Sequence, residues 1–272
     1  MLEEIREDEA AGETAAIYAS IRATLGAPVV NYIWRHLATI EGALPWCWGV
    51  VSAAAPLIQA AIPASHQLTG LLIVERGLHV AATALPPPAG FDAVVETYNR
   101  GNAWNLLSMT LLAAARSGHF VDAQSPGAAP PALPALDVPP YPRAEALDDR
   151  VQACIARLAG AGPAAASGVR PSLWVHLGLW PDLLTDVERR CHPVLASSAF
   201  AAAHAELLRG VPGLLGVDVP APSPDPLPGE APTDRAIRVF RRRIAEMVLI
   251  GRMLAAPSRL GASSPPTLAL GP

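Results

Sequence analysis

The chain has 272 residues, of which 51% are hydrophobic and only 16% are charged, and its formal net charge is −4. This length suits one large domain or two small ones, with enough apolar residues for a sizeable core. The slightly acidic charge argues against binding of nucleic acid. All basic residues are Arg, which excludes a Schiff-base lysine and the lysine of a phosphate-binding loop.

The elements are predicted in chain order as helices, because Ala and Leu dominate and no segment alternates with a period of two. The sequence thus predicts an all-α fold. The first half contains predicted helices at residues 12–25, 30–40, 44–61, 64–84 and 91–115, the last with a break at Gly101. The second half contains predicted helices at residues 144–159, 172–179, 182–196, 199–215 and 233–255. Thr233 and Asp234 are the predicted N-cap of the last helix.

Residues 42–74 lack Asp, Glu and Arg, and they include a stretch long enough to cross a membrane. Pro45, Pro56 and Pro63 interrupt this stretch. We therefore predict two packed core helices joined near Pro56, and no membrane association.

Three cysteines are present, Cys47, Cys154 and Cys191, and none belongs to a C-x-x-C pair. An odd number of cysteines without a paired motif does not favour a disulfide framework, so we expect a cytoplasmic protein. Cys191 has no activating neighbour in the sequence and is expected to be buried and inert. The adjacent Cys191 and His192 lack the spacing of a zinc site, and no metal site is predicted.

The two halves repeat each other, since Trp34–Leu37 (WRHL) corresponds to Trp174–Leu177 (WVHL), and Pro56 corresponds to Pro193. This order predicts two pseudo-symmetric helical repeats that form a pseudo-dimer with a ligand cleft between them. Both a monomer and a homodimer are compatible with this pattern, because the internal repeat already supplies a dimer-like interface. The predicted division is a first repeat at 1–122, a Pro-rich linker at 123–143, a second repeat at 144–256 and a disordered tail at 257–272.

Four segments, residues 12–49, Tyr98–Asn102, Ser172–Pro181 and Arg209–Gly213, resemble the group I 2-haloacid dehalogenases, which act on D and L substrates. The resemblance covers nearly the whole chain at low identity, and it depends on the order of the motifs. It implies an all-α fold of two pseudo-symmetric repeats. It also implies hydrolysis of 2-haloalkanoic acids without metal or cofactor, by an aspartate that activates water.

The resemblance assigns a substrate pocket residue by residue, with one decisive departure. Leu173 falls on the catalytic aspartate, and leucine cannot accept a proton. The implied substrate-binding residues are Tyr32, Asn102, Asn105, Ser172, Leu173, Phe240 and Ile244. Among them, Asn105 replaces a larger aromatic side chain, and Asn102 matches the Asn that helps to place substrate or water.

His176 lies one helical turn after Ser172 and is a candidate replacement base, because imidazole titrates near neutrality. The alternative is a structural role, since His36 occupies the equivalent place in the first half. Asp182 is interpreted as a first-turn charge favoured by the helix dipole. Arg241–Arg243 are expected to be mostly solvated, with one Arg of the last helix able to enter the cleft and bind a carboxylate.

Two classes of function follow. The first is an enzyme with altered, cofactor-independent chemistry, such as a cyclase, isomerase or lyase in natural-product biosynthesis, with a larger and less polar substrate. The alternative is a non-catalytic small-molecule binding or accessory protein. A second alternative is a hydrolytic 2-haloacid dehalogenase whose base has moved elsewhere.

Overall fold

The computed structural model describes residues 2–81, 85–118 and 136–255. In these ranges the chain forms ten α-helices and two short 3-10 helices, and it has no strand, so the all-α prediction is confirmed. The first half contains α1 (Gly12–Leu25), α2 (Tyr32–Leu37), α3 (Ala43–Ala53), α4 (Ala55–Glu75) and α5 (Phe91–Arg116). The second half contains the 3-10 helices Ala144–Ala146 and Ala165–Ser167 with α6 (Asp149–Ala159), α7 (Ser172–Leu177), α8 (Pro181–Leu195), α9 (Ser198–Leu214) and α10 (Pro232–Leu254).

The two longest helices, α5 and α10, pack against each other along the centre of the molecule, and most residues of both are buried. Glycines permit the close approach. A Cβ added at Gly251 of α10 would lie 2.1 Å from Oδ1 of Asn99 on α5. A Cβ added at Gly101 of α5 would lie 3.0 Å from Oδ1 of Asn31, which directly precedes α2. These contacts bring the polar amide groups of Asn31 and Asn99 into the packing between the helices.

The predicted break at Gly101 is wrong, because α5 runs through it without interruption. This glycine makes space for a neighbouring side chain instead of ending a helix. The predicted helix boundary before residue 64 is also wrong, since α4 begins at Ala55 and contains Pro63 on its exposed side. Proline has no N–H group to donate to the backbone carbonyl one turn earlier, and on the exposed side of the helix that carbonyl can bind water instead. The last helix starts at Pro232 after the N-cap Ala231, so Thr233 and Asp234 are not its N-cap.

The two predicted apolar helices are present as α3 and α4, which meet at Ala54, two residues before Pro56. Helix α4 packs against α5, α9 and α10. Within the described residues it is also the one helix that is long and apolar enough to cross a membrane by length and composition.

The described part of the predicted linker, residues 136–143, has no regular secondary structure and runs towards α7. Residues 82–84, 119–135 and 256–272 lie outside the described residues, and with them most of the linker and the predicted tail. The division into two repeats stays a prediction. The two matching segments, Trp34–Leu37 and Trp174–Leu177, do occupy similar positions. Each forms the end of a helix of six residues, α2 or α7, and Trp34 and Trp174 are both fully buried.

A buried ion pair fixes the segment before α7 onto α10. Arg243 and Glu246 form a salt bridge and are 2% and 0% exposed. Arg243 also donates hydrogen bonds to the carbonyl oxygens of Ala159 (2.9 Å) and Ala164 (2.8 Å), and Glu246 accepts one from the Ala164 amide (3.0 Å). Loss of one partner of such a pair costs about 3–5 kcal/mol, because a buried charge is left unpaired. The pair therefore fixes residues 159–164 onto α10.

We predict that Gly162→Ala destabilises the protein, because an added Cβ would lie 2.3 Å from Oε2 of Glu246. Overpacking of this kind costs ~1–3 kcal/mol, and thermal unfolding followed by circular dichroism measures it. The matched control is Gly49→Ala on the exposed face of α3, where a Cβ would meet nothing within 4 Å. That change should stabilise by ~0.5–1 kcal/mol. Equal melting temperatures for the two variants would contradict the constraint at Gly162.

Candidate functional site

A small cavity lies where α2, α5, α7 and α10 meet, and its volume is about 40 Å³. That is room for a few atoms of water size, whereas pockets for drug-sized ligands reach roughly 300–1,000 Å³. The structure therefore does not provide the room that a larger substrate needs. The cavity is lined by Asn31, Tyr32, Ile33, Tyr98, Asn102, Val169, Arg170, Pro171, Ser172, Leu173, Phe240, Arg243, Ile244 and Met247.

Most of the residues that the sequence assigned to a pocket lie on this one cavity, although they come from distant parts of the chain. Of these predicted residues, α7 contributes Ser172 and Leu173. Helix α10 contributes Phe240 and Ile244, which are four residues apart and therefore lie on the same face of the helix. The Tyr32 ring of α2 packs edge-on against Phe240, with ring centroids 5.4 Å apart. The residues brought together are Tyr32, Asn102, Ser172, Leu173, Phe240 and Ile244.

Two predicted site residues lie elsewhere. Asn105 is fully buried one turn beyond Asn102, and its Oδ1 accepts a hydrogen bond from the Trp34 indole at 2.8 Å. Its amide therefore holds the α2–α5 contact and does not face the cavity. His176 is also fully buried and does not line the cavity, and its two ring nitrogens face Tyr98 and Pro139.

The contact between Tyr98 and His176 joins the histidine to the cavity indirectly. Nε2 of His176 lies 2.9 Å from the Pro139 carbonyl oxygen, which can only accept a hydrogen bond, so Nε2 carries the proton. Burial lowers the pKa of His176, against the effect of this hydrogen bond, and favours the neutral ring. Nδ1 then accepts the hydrogen bond from the Tyr98 hydroxyl at 3.3 Å. Tyr98 thus lines the cavity with a neutral base behind it.

Sequence reasoning did not single out Tyr98 as a site residue, although it stands four residues before Asn102 on the same face of α5. It also missed Tyr141, which the linker brings against α7. The Tyr141 ring packs edge-on against His176 at 5.6 Å. Burial raises the pKa of Tyr141, opposed by the charge of Arg35 and a hydrogen bond with Ser172. No motif signalled Tyr141, because its segment is rich in proline and has no periodic pattern.

The N-terminal segment completes this side of the site. Glu4 forms a salt bridge with the buried Arg35 at 3.2 Å, and the Tyr32 hydroxyl donates to the Leu2 carbonyl oxygen at 2.5 Å. The Arg35 guanidinium also lies 5.2 Å from the centre of the Tyr141 ring. The segment before α1 therefore holds α2 and the linker together beside the cavity.

The charges on the cavity are both positive. Arg243 is neutralised by Glu246, whereas Arg170 is half-buried and forms no salt bridge within the described residues. No Asp or Glu of the described residues lines the cavity. The expectation that the arginines of the last helix are mostly solvated is wrong, since Arg238, Arg241 and Arg243 are buried. Carboxylates neutralise Arg238 and Arg243, whereas Arg241 is bonded only to backbone carbonyl groups.

The other sequence candidates are structural. Cys191 is buried and free, and burial raises the pKa of its thiol to about 12, as expected for an inert side chain. Asp182 lies in the first turn of α8, as predicted. Within the part of the chain that the structure describes, no group of three or more His, Cys, Asp or Glu side chains is arranged to hold a metal ion.

The architecture defines an all-helical protein with a small cavity at the centre of its helix packing. No family model matches the sequence, and no curated protein matches it significantly. Solved structures do match. A D-2-haloacid dehalogenase mutant aligns with a TM-score of 0.74 at 17% identity, over 94% of this chain and 95% of that chain.

Two further structures of D-2-haloacid dehalogenase are similar over the same shares, 94% of this chain and 95% of each of those. A mutant in complex with D-2-CPA aligns with a TM-score of 0.68 at 15% identity. A complex with L-LA aligns with a TM-score of 0.71 at 16% identity. The chain therefore shares the fold of these dehalogenases, which agrees with the fold that the sequence resemblance implies.

The assigned protonation of His176 predicts its behaviour in solution. At pH 7 the ring should be neutral with the proton on Nε2, and it should gain a second proton only below the ordinary value of about 6.5. Nitrogen-15 NMR of labelled histidine measures both properties, and His176→Gln assigns the resonance by removing it. A ring that is doubly protonated at pH 7, or protonated on Nδ1, would contradict the hydrogen bond from Tyr98.

Proposed function

We propose that this protein is an enzyme that binds a small organic acid in the cavity and transforms it without a carboxylate base. The observation that carries the proposal is the lining itself. It places an Arg without an acidic partner, Arg170, beside Asn102 and Ser172, and it contains no Asp or Glu among the described residues. The chemistry is of isomerase or lyase type and is independent of a cofactor.

The charge and the volume of the cavity support a small anionic substrate. A guanidinium that lacks an internal carboxylate is suited to bind one from a ligand through paired charge-assisted hydrogen bonds. Asn102 and Ser172 add neutral hydrogen-bonding groups, while Leu173, Phe240 and Ile244 supply apolar walls. The similar dehalogenase structures hold D-2-CPA and L-LA, and we extend to this chain a ligand of comparable size. A cyclase for a larger molecule is disfavoured by a volume of about 40 Å³.

Tyr98 is the proposed proton-transfer group, and His176 is the positioning residue behind it. Burial raises the pKa of Tyr98, so the phenol is neutral and holds its proton at pH 7. The neutral Nδ1 of His176 orients that proton and can receive it when Tyr98 accepts a proton from a bound ligand. A relay of this kind supplies general acid–base catalysis, worth typically about 10²–10⁴-fold.

Hydrolytic dehalogenation is not part of the proposal. The residue at the position that the resemblance gives to the catalytic aspartate is Leu173, which is 1% exposed and apolar. The nearest buried carboxylate on α10, Glu246, is bonded to Arg243 and to the Ala164 amide and does not line the cavity. Glu246 could therefore act as a relocated base only if its ion pair with Arg243 broke.

A second candidate is a binding protein without catalysis, and the lack of a carboxylate on the cavity favours it as well. The two functions differ in the fate of the ligand. Release of every bound acid unchanged indicates binding alone. Conversion that Tyr98→Phe abolishes, while the affinity for the acid persists, indicates the enzyme.

We predict that the protein binds small 2-substituted carboxylates such as L-lactate and 2-chloropropionate. Arg170→Gln should weaken that binding about tenfold, the value of a charge-assisted bidentate contact. Isothermal titration calorimetry measures the affinity. The matched control is Arg150→Gln, which removes an exposed arginine of α6 that does not line the cavity and should leave the affinity unchanged. Equal affinities for the two variants would refute the role of Arg170.

A further inference from the structure

A second concave surface lies on the opposite part of α10, between the end of α5 and the loop that connects α9 to α10. This groove has a volume of about 570 Å³, far larger than the cavity beside α7. Its walls are mainly apolar and include Val219, Pro220, Leu227 and Ile237. The groove shares no lining residue with the cavity, so its function is a separate question.

The charged residues on the groove are paired with one exception. Arg116 forms hydrogen bonds to both carboxylate oxygens of Asp234 at 2.6 and 2.9 Å. Arg238 does the same with Glu230, at 2.7 and 2.8 Å. Arg241 also lines the groove, and it has no salt bridge within the described residues. The groove therefore carries one positive charge that the protein does not compensate.

Arg241 is unusual among the buried arginines. Four described arginines are buried, and the other three each pair with a glutamate: Arg35 with Glu4, Arg238 with Glu230 and Arg243 with Glu246. Arg241 is 2% exposed and has no such partner. An unpaired buried charge is costly, and buried charges in proteins are normally paired or bound to a ligand.

The guanidinium of Arg241 also has unused donors. It donates from Nη1 to the Pro220 carbonyl oxygen at 2.9 Å and from Nη2 to the Leu208 carbonyl oxygen at 3.4 Å. Nε has no partner. Burial lowers the pKa of Arg241 to about 10, so the side chain is still a cation at pH 7. Two carbonyl groups hold it in place, yet they supply no negative charge.

We propose that this groove is a second ligand site, which binds a monoanionic carboxylate with an apolar body. The carboxylate pairs with Arg241, and the apolar body lies against the proline-rich loop and Ile237. The charge balance defines the ligand, because the two paired arginines leave a single positive charge to neutralise. A bidentate carboxylate also matches the planar geometry of the free guanidinium donors.

Calorimetry with benzoate tests the site, with the uncharged benzamide as the matched ligand control. We expect wild-type protein to bind benzoate and not benzamide. Arg241→Gln should weaken benzoate binding about tenfold or more, because a charged hydrogen-bonding partner is lost. Arg170→Gln should leave this binding unchanged, which separates the groove from the small cavity.

Arg241 also holds the loop, so a second variant keeps the test decisive if Arg241→Gln does not fold. Ala221→Trp fills the groove from an exposed loop position and leaves Arg241 in place, and it should weaken benzoate binding as well. The proposal is overturned if wild-type protein does not bind benzoate, or binds benzamide equally well. It is also overturned if folded Arg241→Gln or Ala221→Trp protein keeps wild-type affinity, or if Arg170→Gln alone removes binding.

Discussion

The buried ion pair between Arg243 and Glu246 is the interaction on which the site depends. It joins the middle of α10 to residues 159–164, which lie shortly before Arg170 and before α7, whose first residues Ser172 and Leu173 line the cavity. Because Glu246 is fully buried and bonded on both oxygens, its geometry is closely defined. The packing of α5 on α10 then sets the opposite wall, where Asn102 and Tyr98 lie. A single central helix, α10, thus positions both sides of the cavity.

The same helix explains how one fold can carry two sites of different character. On one side of α10, Arg243 is neutralised within the protein and the cavity is small. On the other, Arg241 lacks an acidic partner and lines a wide groove with apolar walls. The three consecutive arginines of α10 face different surroundings because successive residues of a helix are about 100° apart. Their charges therefore serve different purposes, although their side chains are identical.

The fold and much of the candidate site could be predicted from the sequence. The content of Ala and Leu predicts the helices. The resemblance to the 2-haloacid dehalogenases assigns one pocket to six residues that do line one cavity, namely Tyr32, Asn102, Ser172, Leu173, Phe240 and Ile244. The local errors have physical reasons. Gly101 reads as a helix breaker, but it is used for close packing against Asn31. Arg241 and Arg243 read as surface residues, but partners distant in the sequence bury them.

Other features depend on tertiary contacts that no local pattern reveals. Tyr141 belongs to an irregular proline-rich segment, and Pro139 holds His176 through a backbone carbonyl, which any residue could offer. The turn of His176 away from the cavity, behind Tyr98, is therefore visible only in the structure. It changes the role proposed for this histidine from a base that touches the substrate to a residue that acts through a tyrosine.

We infer that the cavity has the layout of a small-acid site in which Leu173 takes the place of a base for hydrolysis. Chloride release from 2-chloropropionate tests it most directly, with wild-type protein compared with Leu173→Asp, which puts a carboxylate on the cavity wall. We expect no release above background by the wild-type protein and measurable release by Leu173→Asp. Steady release by the wild-type protein, at a rate that Leu173→Asp does not raise, would overturn this inference.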